Sequence, residues 1–170
     1  YRYIMKSFQD EYKFGSSADL GISVAYKFAD WISADAIIVN GEGYKKIQIK
    51  DGLNYGLGVP VKGFQIRLYG GLNESGEKGG KAIKNMAAFM GYKHEKFTIG
   101  AEYNYMMNAS HKENADQNGY SVFASVNLPK KVSLYARFDD LYSKNDWNIA
   151  KDESTVILGA QFKLGKYVKI

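Results

Sequence analysis

Apolar and polar residues alternate along most of this chain with a period of two. Between Phe97 and Tyr105 the odd positions are apolar or aromatic, and the even positions are small, polar or charged. Successive side chains of a β-strand point to opposite faces of the sheet, so this alternation is typical of strands with one apolar face and one polar face. The pattern recurs in nine stretches and predicts an all-β protein.

The nine predicted strands are close to the length of about 9–11 residues that a tilted strand needs to cross a bilayer. They are Ala18–Phe28, Trp31–Asn40, Asn54–Val61, Phe64–Leu72, Asn85–Tyr92, Phe97–Met106, Gly119–Leu128, Val132–Asp139 and Ser154–Leu164. Tight turns are predicted at 29–30, 62–63, 94–95, 129–131 and 165–166, and long polar loops near 41–53, 73–84, 107–118 and 140–153. Outer-membrane barrels segregate short turns and long loops in this way, so the predicted fold is an up-and-down antiparallel transmembrane β-barrel.

The apolar face carries no charge in any of the nine predicted strands. In a soluble, lipocalin-like barrel this face would point inward, whereas in a membrane barrel it faces lipid. Aromatic residues favour the membrane, because they gather at both ends of the strands as they do at the two interfaces of a bilayer. They are Tyr26, Phe28, Trp31, Phe64, Tyr92 and Phe97 near the short turns, and Tyr44, Tyr55, Tyr69, Tyr103, Tyr105, Tyr120 and Tyr142 toward the long loops.

In the membrane interpretation the polar face lines the lumen. The predicted pore-lining residues are Lys27, Asp35, Arg67, Glu102, Arg137, Asp139 and Lys163. Their charges balance once Asp19 is counted, whereas an anion channel would show an inward excess of Arg or Lys. Arg67 and Arg137 therefore either form a local basic ladder or pair with Glu102 and Asp139.

The strand count bears on the size of the barrel. Tyr1–Phe8 and Lys166–Ile170 resemble the end and the beginning of two further strands, which makes the total odd. Single-chain bacterial barrels normally close with an even number of strands. We therefore interpret residues 1–170 as a single β-barrel domain that is incomplete at both ends. A complete ten-stranded barrel with frayed ends is the alternative.

Composition narrows the classes of function. The chain has no cysteine, so a disulfide framework and thiolate metal sites are excluded. No stretch approaches 18 consecutive apolar residues, so no helical membrane span is expected. The net charge of +5 arises at the short turns, where lysines suit either anionic lipid headgroups or plain solvation. Without a helix or an aromatic stacking platform, this basic rim does not predict nucleic-acid binding.

Candidate catalytic groups are poorly placed for a shared site. Outer-membrane enzymes need Asp/His or Ser/His groups that converge at the mouth of the barrel. Of the two histidines, His94 falls in a tight turn and His111 in a long loop, at opposite ends of the predicted barrel. Asp139 and Asp140 are consecutive in a strand and point to opposite faces. We therefore expect no enzyme, no cofactor and no metal site.

Several segments carry a resemblance to a known family. The strongest are Met5–Asp10, Ser17–Gly21 and Ser33–Tyr44, and Asp51–Gly52, Val61–Gly63 and Gly100–Tyr105 also match. These segments resemble porins of the Bacteroidota, in the broad superfamily of phosphate-selective porins. The resemblance implies an outer-membrane diffusion channel with more strands than the nine seen here, and chain beyond both ends. The resemblance implies no solute preference, because no row of solute-binding residues of the family can be matched residue by residue to this sequence.

The expected function is that of a porin, a passive diffusion channel for small hydrophilic solutes or ions in the outer membrane of a Gram-negative cell. The expected partners are outer-membrane lipid and these solutes, with a homo-oligomer left open. The competing hypothesis is a β-barrel binding module without transport activity, either soluble and lipocalin-like or a closed membrane barrel.

Overall fold

The computed structural model describes residues 7–14, 21–39, 52–61, 63–75, 78–164 and 168–169. In these ranges ten strands form one antiparallel sheet, in which each strand pairs with its neighbours in sequence. The strands are β1 Gly21–Ala29, β2 Ile32–Val39, β3 Gly52–Val61, β4 Phe64–Asn73, β5 Ile83–Lys93, β6 Phe97–Met107, β7 Gln117–Leu128, β8 Val132–Ser143, β9 Glu153–Leu164 and the two-residue β10 Val168–Lys169. The all-β, up-and-down antiparallel architecture is therefore confirmed.

The sheet is open within the described residues. The hydrogen-bonded order runs from β1 to β10, and no described pairing joins these two edge strands. Closure of the sheet into a transmembrane barrel therefore stays a prediction. The predicted strand residues 18–20 and 40 lie outside the described residues, and Trp31, predicted to begin the second strand, lies in the turn before β2. Most other strand ends extend beyond the predicted bounds, above all those of β5, β7 and β8 near the long loops.

Pairing in direct register gives the sheet two chemically distinct faces. Ile22 lies opposite Ile38 and Val24 opposite Ala36, while Lys27 lies opposite Ser33 on the other side. Residues directly opposite each other lie on the same face of the sheet, so the apolar residues of neighbouring strands lie side by side on one face and the polar residues on the other. We call the apolar side the outer face. It presents large exposed side chains, including Ile22, Val24, Phe28, Val122, Val156 and Leu158.

The outer face carries charge only near the long loops. Because β5 and β8 are longer than predicted, the register adds Lys84 and Asp140 to this face, opposite Leu72 and Tyr120 respectively. The prediction of a charge-free apolar face therefore holds for the predicted strand ranges but not for these loop ends. Of the aromatic residues that were predicted to lie at the two membrane interfaces, Tyr69 lies on the opposite, polar face, where it pairs in register with Ala87.

A short helix lies against the polar face, which we call the inner face. Helix α1 spans Phe8–Glu11 and begins at Ser7, whose hydroxyl oxygen accepts a hydrogen bond from the backbone N–H of Asp10 at 3.2 Å. The prediction that Tyr1–Phe8 ends a further strand is wrong at Phe8. A serine cap followed by acidic residues in the first turn satisfies the free N–H groups of a helix instead.

The hydrophobic core lies between α1 and the loop end of the inner face. Phe8 and Phe14 are buried there, together with side chains from the strands and the loops. The cluster consists of Phe8, Phe14, Met106, Ala109, Ala115 and Leu141, with Tyr12, Ile83 and Trp147 packed against it. Among the described residues, the buried apolar side chains thus lie on the polar side of the sheet, beside this N-terminal segment and the loops.

The described short turns lie at the predicted places or within one residue of them. They connect β1 to β2 at Asp30–Trp31, one residue later than predicted, β5 to β6 at 94–96, and β7 to β8 through the 3-10 helix Pro129–Lys131. Residue 62 of the predicted turn at 62–63 and the predicted turn at 165–166 lie outside the described residues. At Gly63 the backbone has φ +85°, and a Cβ would lie 2.5 Å from the carbonyl oxygen of Lys93. A side chain there would meet both strain and a steric clash.

The long loops at 108–116 and 144–152 are compact and joined through Asp116. Its carboxylate accepts from the Tyr105 hydroxyl at 2.8 Å, and its backbone oxygen accepts from Trp147 Nε1 at 2.6 Å and from the Lys144 N–H at 2.8 Å. The 3-10 helices Ala109–His111, Lys144–Asp146 and Ile149–Lys151 lie in these loops. The predicted loop at 41–53 falls largely on residues that the structure does not describe.

Candidate functional site: the inner face

The predicted pore-lining residues occupy one face of the sheet. The strand register places Lys27, Asp35, Arg67, Glu102, Arg137 and Asp139 together on the inner face. Lys163 lies in β9 opposite Lys169, and its side chain is outside the described part of the structure. The shared face follows from the register, whereas a pore-lining role for these residues stays a prediction.

Arg67 on β4 forms an ion pair with Asp35 on β2, reaching across β3. Its Nη2 donates to both carboxylate oxygens, at 2.6 and 2.8 Å. Gly58 lies directly between the two strands in this row, and a Cβ there would be 3.9 Å from Arg67 Nη1. The absent side chain leaves the space through which the guanidinium passes. The pair is partly open to solvent, with side-chain exposures of 40% for Arg67 and 31% for Asp35.

Arg137 and Asp139 form a second ion pair, two residues apart on β8. Arg137 Nε donates to Asp139 Oδ1 at 2.7 Å, and Nη2 donates to Oδ2. Both side chains are buried, with exposures of 8% and 1%. A buried carboxylate is tolerated only with a well-placed partner, and the bidentate fork of arginine supplies two charge-assisted hydrogen bonds. This pair is therefore part of the packed interior of the inner face.

Glu102 lies between the two ion pairs. On β6 it is opposite Phe89 of β5 and Ser121 of β7, and its Oε1 accepts from Asn104 Nδ2 at 3.4 Å. Of the two acids that were predicted to pair with basic residues, Asp139 does so with Arg137, whereas Arg67 binds Asp35. Within the described residues Glu102 has no salt bridge, so it leaves this part of the face with a net negative charge.

The Ser7–Phe14 segment is held on the inner face by three polar contacts to three strands. Gln9 Nε2 donates to Asn104 Oδ1 on β6 at 2.8 Å, and the Tyr12 hydroxyl donates to Thr155 on β9 at 3.2 Å. The backbone oxygen of Phe14 accepts from Asn85 on β5 at 2.7 Å. The segment therefore crosses the inner face from β5 to β9.

Phe8 is the apolar anchor of this segment. Its ring lies over Gly119 of β7, where a Cβ would come within 2.5 Å of Phe8 Cζ. It also contacts the rings of Tyr12 and Phe14, with centroids 4.6 and 5.6 Å away. Sequence reasoning missed this docking. The available signal was the serine followed three residues later by an acid, a pattern that marks a helix start.

The hydroxyl of Tyr12 stays protonated near neutral pH. Burial raises its pKa above the ordinary value, and the carboxylates of Asp139 and Glu153 act in the same direction, against the opposing effect of the Thr155 hydrogen bond. A neutral phenol keeps the proton that it donates to Thr155. The hydrogen bond between α1 and β9 is therefore insensitive to pH across the physiological range.

The arrangement offers little for catalysis or metal binding. His94 lies in a short turn and His111 in a long loop, where His111 Nδ1 is 2.9 Å from the backbone oxygen of Lys81. Among the described residues no group of three or more His, Cys, Asp or Glu side chains is placed to hold a metal ion. The absence of enzymatic activity stays a prediction. Within the same residues no helix is both long and apolar enough to cross a bilayer.

Comparison with known proteins adds no assignment. No protein-family model matches this chain, and no curated protein matches it in sequence. The functional argument therefore rests on the two faces of the sheet and on the residues that the inner face brings together.

We expect Phe8→Ala to release the Ser7–Phe14 segment from the sheet. Truncation of a buried phenylalanine typically costs about 3–5 kcal/mol, which is at least comparable to the roughly 0.5–1.5 kcal/mol that each of the three part-buried hydrogen bonds contributes. Hydrogen exchange measured by mass spectrometry on the full-length chain should show faster exchange across residues 8–14. Phe28→Ala, which removes an exposed ring from the outer face, should leave that exchange unchanged. Equal protection in Phe8→Ala and wild type would contradict the anchor role.

The two ion pairs should differ in their contribution to stability. Arg137→Gln leaves the buried Asp139 carboxylate uncompensated and should lower the free energy of unfolding by about 3–5 kcal/mol. Arg67→Gln breaks a pair that solvent screens and should cost about 0–1 kcal/mol. Urea titrations of the folded chain in lipid vesicles would measure both values. A similar loss of unfolding free energy in the two variants would show that the burial of Arg137 does not determine how much its ion pair contributes to stability.

Proposed function

We propose that this chain forms part of an outer-membrane porin, which passes small hydrophilic solutes or ions by passive diffusion. The observation that carries the proposal is the exposed outer face, where large apolar side chains recur on strand after strand, opposite a face of charged and polar residues. Water does not tolerate an apolar surface of this extent on a monomeric protein, whereas the hydrocarbon of a bilayer requires it.

Aromatic residues at both strand ends of the outer face support the membrane setting. Tyr26, Phe28 and Trp31 are exposed beside the first short turn. At the loop end Asn118 Nδ2 donates to the hydroxyls of Tyr103 at 3.0 Å and Tyr142 at 2.6 Å. Aromatic rings with a polar group on one side fit the headgroup region of a bilayer.

Closure into a barrel and membership of a porin family are parts of the same proposal. The described sheet has two edge strands, and further strands from a longer chain would pair with them and close the barrel with an even number. The resemblance to porins of the Bacteroidota agrees with a larger barrel in the outer membrane. Its lumen would be lined by the inner face, with the Ser7–Phe14 segment lying inside it as a constriction.

A closed membrane barrel that binds a ligand without transport is the second candidate. It is favoured by the same Ser7–Phe14 segment, because a segment anchored by buried aromatic rings occupies lumen space. The two candidates differ in one measurable property, which is whether the full-length protein conducts ions.

The full-length protein reconstituted into planar bilayers should give discrete conductance steps. Arg67→Glu places a second carboxylate beside Asp35, so the reversal potential in a salt gradient should shift toward cation preference. Lys131→Glu, the same charge change at an exposed turn, should shift the potential less. A chain that inserts but stays electrically silent would contradict the porin proposal. An unchanged potential in Arg67→Glu would place this side chain outside the ion pathway.

Arginine substitutions on adjacent residues of β9 test which face contacts lipid. Leu158 is 75% exposed on the outer face, whereas Gly159 lies on the inner face with only Tyr135 near its Cβ position, at 3.8 Å. Leu158→Arg should make folding into lipid vesicles less favourable by about 2–4 kcal/mol, the penalty for a charge at the bilayer midplane. Gly159→Arg should cost much less, because lumen water solvates the charge.

Equal costs for the two substitutions, or a larger cost at Gly159, would invert the assignment of the faces. Expression in plain buffer gives an independent check. A full-length chain that stays monomeric and soluble without detergent would show that the membrane assignment is wrong and that the apolar face is covered by protein.

A further inference from the structure

A small cavity lies between the Ser7–Phe14 segment and the inner face. Its volume is about 200 Å³, which is several times the roughly 30 Å³ that one molecule occupies in liquid water. The side chains that matter for recognition are those of Ser7, Gln9, Arg67, Tyr69, Phe89 and Glu102. The cavity thus has room for an organic solute of a few heavy atoms, beside two charged groups of opposite sign.

The charge of this cavity is set by Glu102. Arg67 also lines the cavity, but its guanidinium is held by Asp35 at 2.6 and 2.8 Å, which neutralises it locally. Arg137 is held by Asp139 in the same way. Within the described residues Glu102 has only the long hydrogen bond from Asn104 and no salt bridge, and the nearby charges of Arg137 and Asp139 act on it in opposite directions. Its carboxylate is therefore the lining group that attracts a cation.

The other lining groups favour an ammonium group over a metal ion. Gln9 uses its amide nitrogen to bind Asn104, so its carbonyl oxygen is the atom left to accept from a ligand. Phe89 contributes an aromatic ring, whose face attracts organic cations. Ca²⁺ takes six to eight oxygen ligands, usually from several protein groups, and this cavity offers one carboxylate and one amide oxygen beside an aromatic ring, which suits an organic cation better.

We propose that this cavity is a binding site for a small solute that carries an ammonium group, with the ammonium on Glu102 and Gln9. The proposal deepens the proposed function, because the lumen would bring the solute to the cavity. Two kinds of solute share this chemistry. A plain amine would use Glu102 alone, whereas an amino acid would also place its carboxylate on the remaining N–H donors of Arg67.

The test measures binding to the folded full-length protein in detergent by ligand-observed NMR titration. The probes are ethanolamine, glycine, glycolate and ethylene glycol. Ethanolamine should bind at least tenfold more tightly than ethylene glycol, its neutral counterpart of the same size. Glu102→Gln should raise the Kd for ethanolamine at least tenfold. Glu153→Gln removes the same charge from the same face but outside this cavity, and should leave that Kd within twofold.

The double variant Asp35→Asn/Arg67→Gln distinguishes the two kinds of solute, because it removes both partners of the ion pair and leaves the charge balance unchanged. A selective loss of glycine binding would identify an amino-acid site. Unchanged binding of glycine and ethanolamine would identify an amine site. Either result requires that Glu102→Gln weakens both probes.

Three outcomes would overturn the proposal: no saturable binding of ethanolamine or glycine by the wild type, equal binding of ethanolamine and ethylene glycol, or an unchanged Kd in Glu102→Gln. The wild-type comparison of probes keeps the test decisive even if that variant fails to fold. A protein that conducts but binds no amine retains the porin function and loses this site. A protein that binds ethanolamine but stays silent in bilayers retains the site and loses the porin function.

Discussion

Direct pairing between neighbouring strands is the constraint on which the two faces of this sheet depend. Because opposed residues share a face, a shift of one residue in a single pairing would turn that strand's apolar side chains toward the polar side. The register keeps Val122 opposite both Ala101 and Phe138, and so continues the outer face from β6 to β8. The short turns support this register, since each leaves little freedom for adjacent strands to slide.

The inner face combines buried and open charges, and burial separates their roles. Arg137 and Asp139 are buried away from solvent, so their ion pair is a fixed part of the packing. Arg67 and Asp35 are accessible, and a dissolved ion or solute competes with their attraction. Glu102 lies between the two pairs without a salt bridge in the described residues. Among the described residues around the two ion pairs, Glu102 therefore supplies the local net charge, although the strand charges balance in the sequence.

Much of the sheet was predictable because strand alternation and turn residues are local signals. The strand pattern from Phe97 onward and the turn after Lys93 lie where they were expected. The partner of Arg67 was not predictable in this way. The pairing of Arg67 with Asp35 depends on the register of β2 and β3 beside β4 and on the small size of Gly58. Neither can be read from the residues next to Arg67 in the sequence.

The Ser7–Phe14 segment was missed for a related reason. Its aromatic residues Phe8, Tyr12 and Phe14 are spaced four and two positions apart, and so short a pattern does not separate a strand end from a short helix. The decisive contacts come from Gly119 and Leu141, more than a hundred residues away.

Similarly, the loops are shorter than predicted because Asp116 and Asp152 fix their ends. Asp152 accepts from both the backbone N–H and the hydroxyl of Ser143, at 2.7 and 2.8 Å.

Glycines on the inner face determine where the lumen proposed here would be narrow. A Cβ at Gly91 would lie 2.7 Å from the Phe89 ring and one at Gly100 2.4 Å from the Phe123 ring, so aromatic side chains cover both positions. The two rings stack at 6.3 Å, and Phe8 covers Gly119 in the same manner. At Gly159, in contrast, a Cβ would make only an ordinary contact within the described residues, with Tyr135 Cδ1 at 3.8 Å. Bulk therefore accumulates over β5 to β7, around Glu102. A solute that passes along this face would meet the least free space and the uncompensated carboxylate at the same level, where charge discriminates between solutes most strongly because little water remains to screen it.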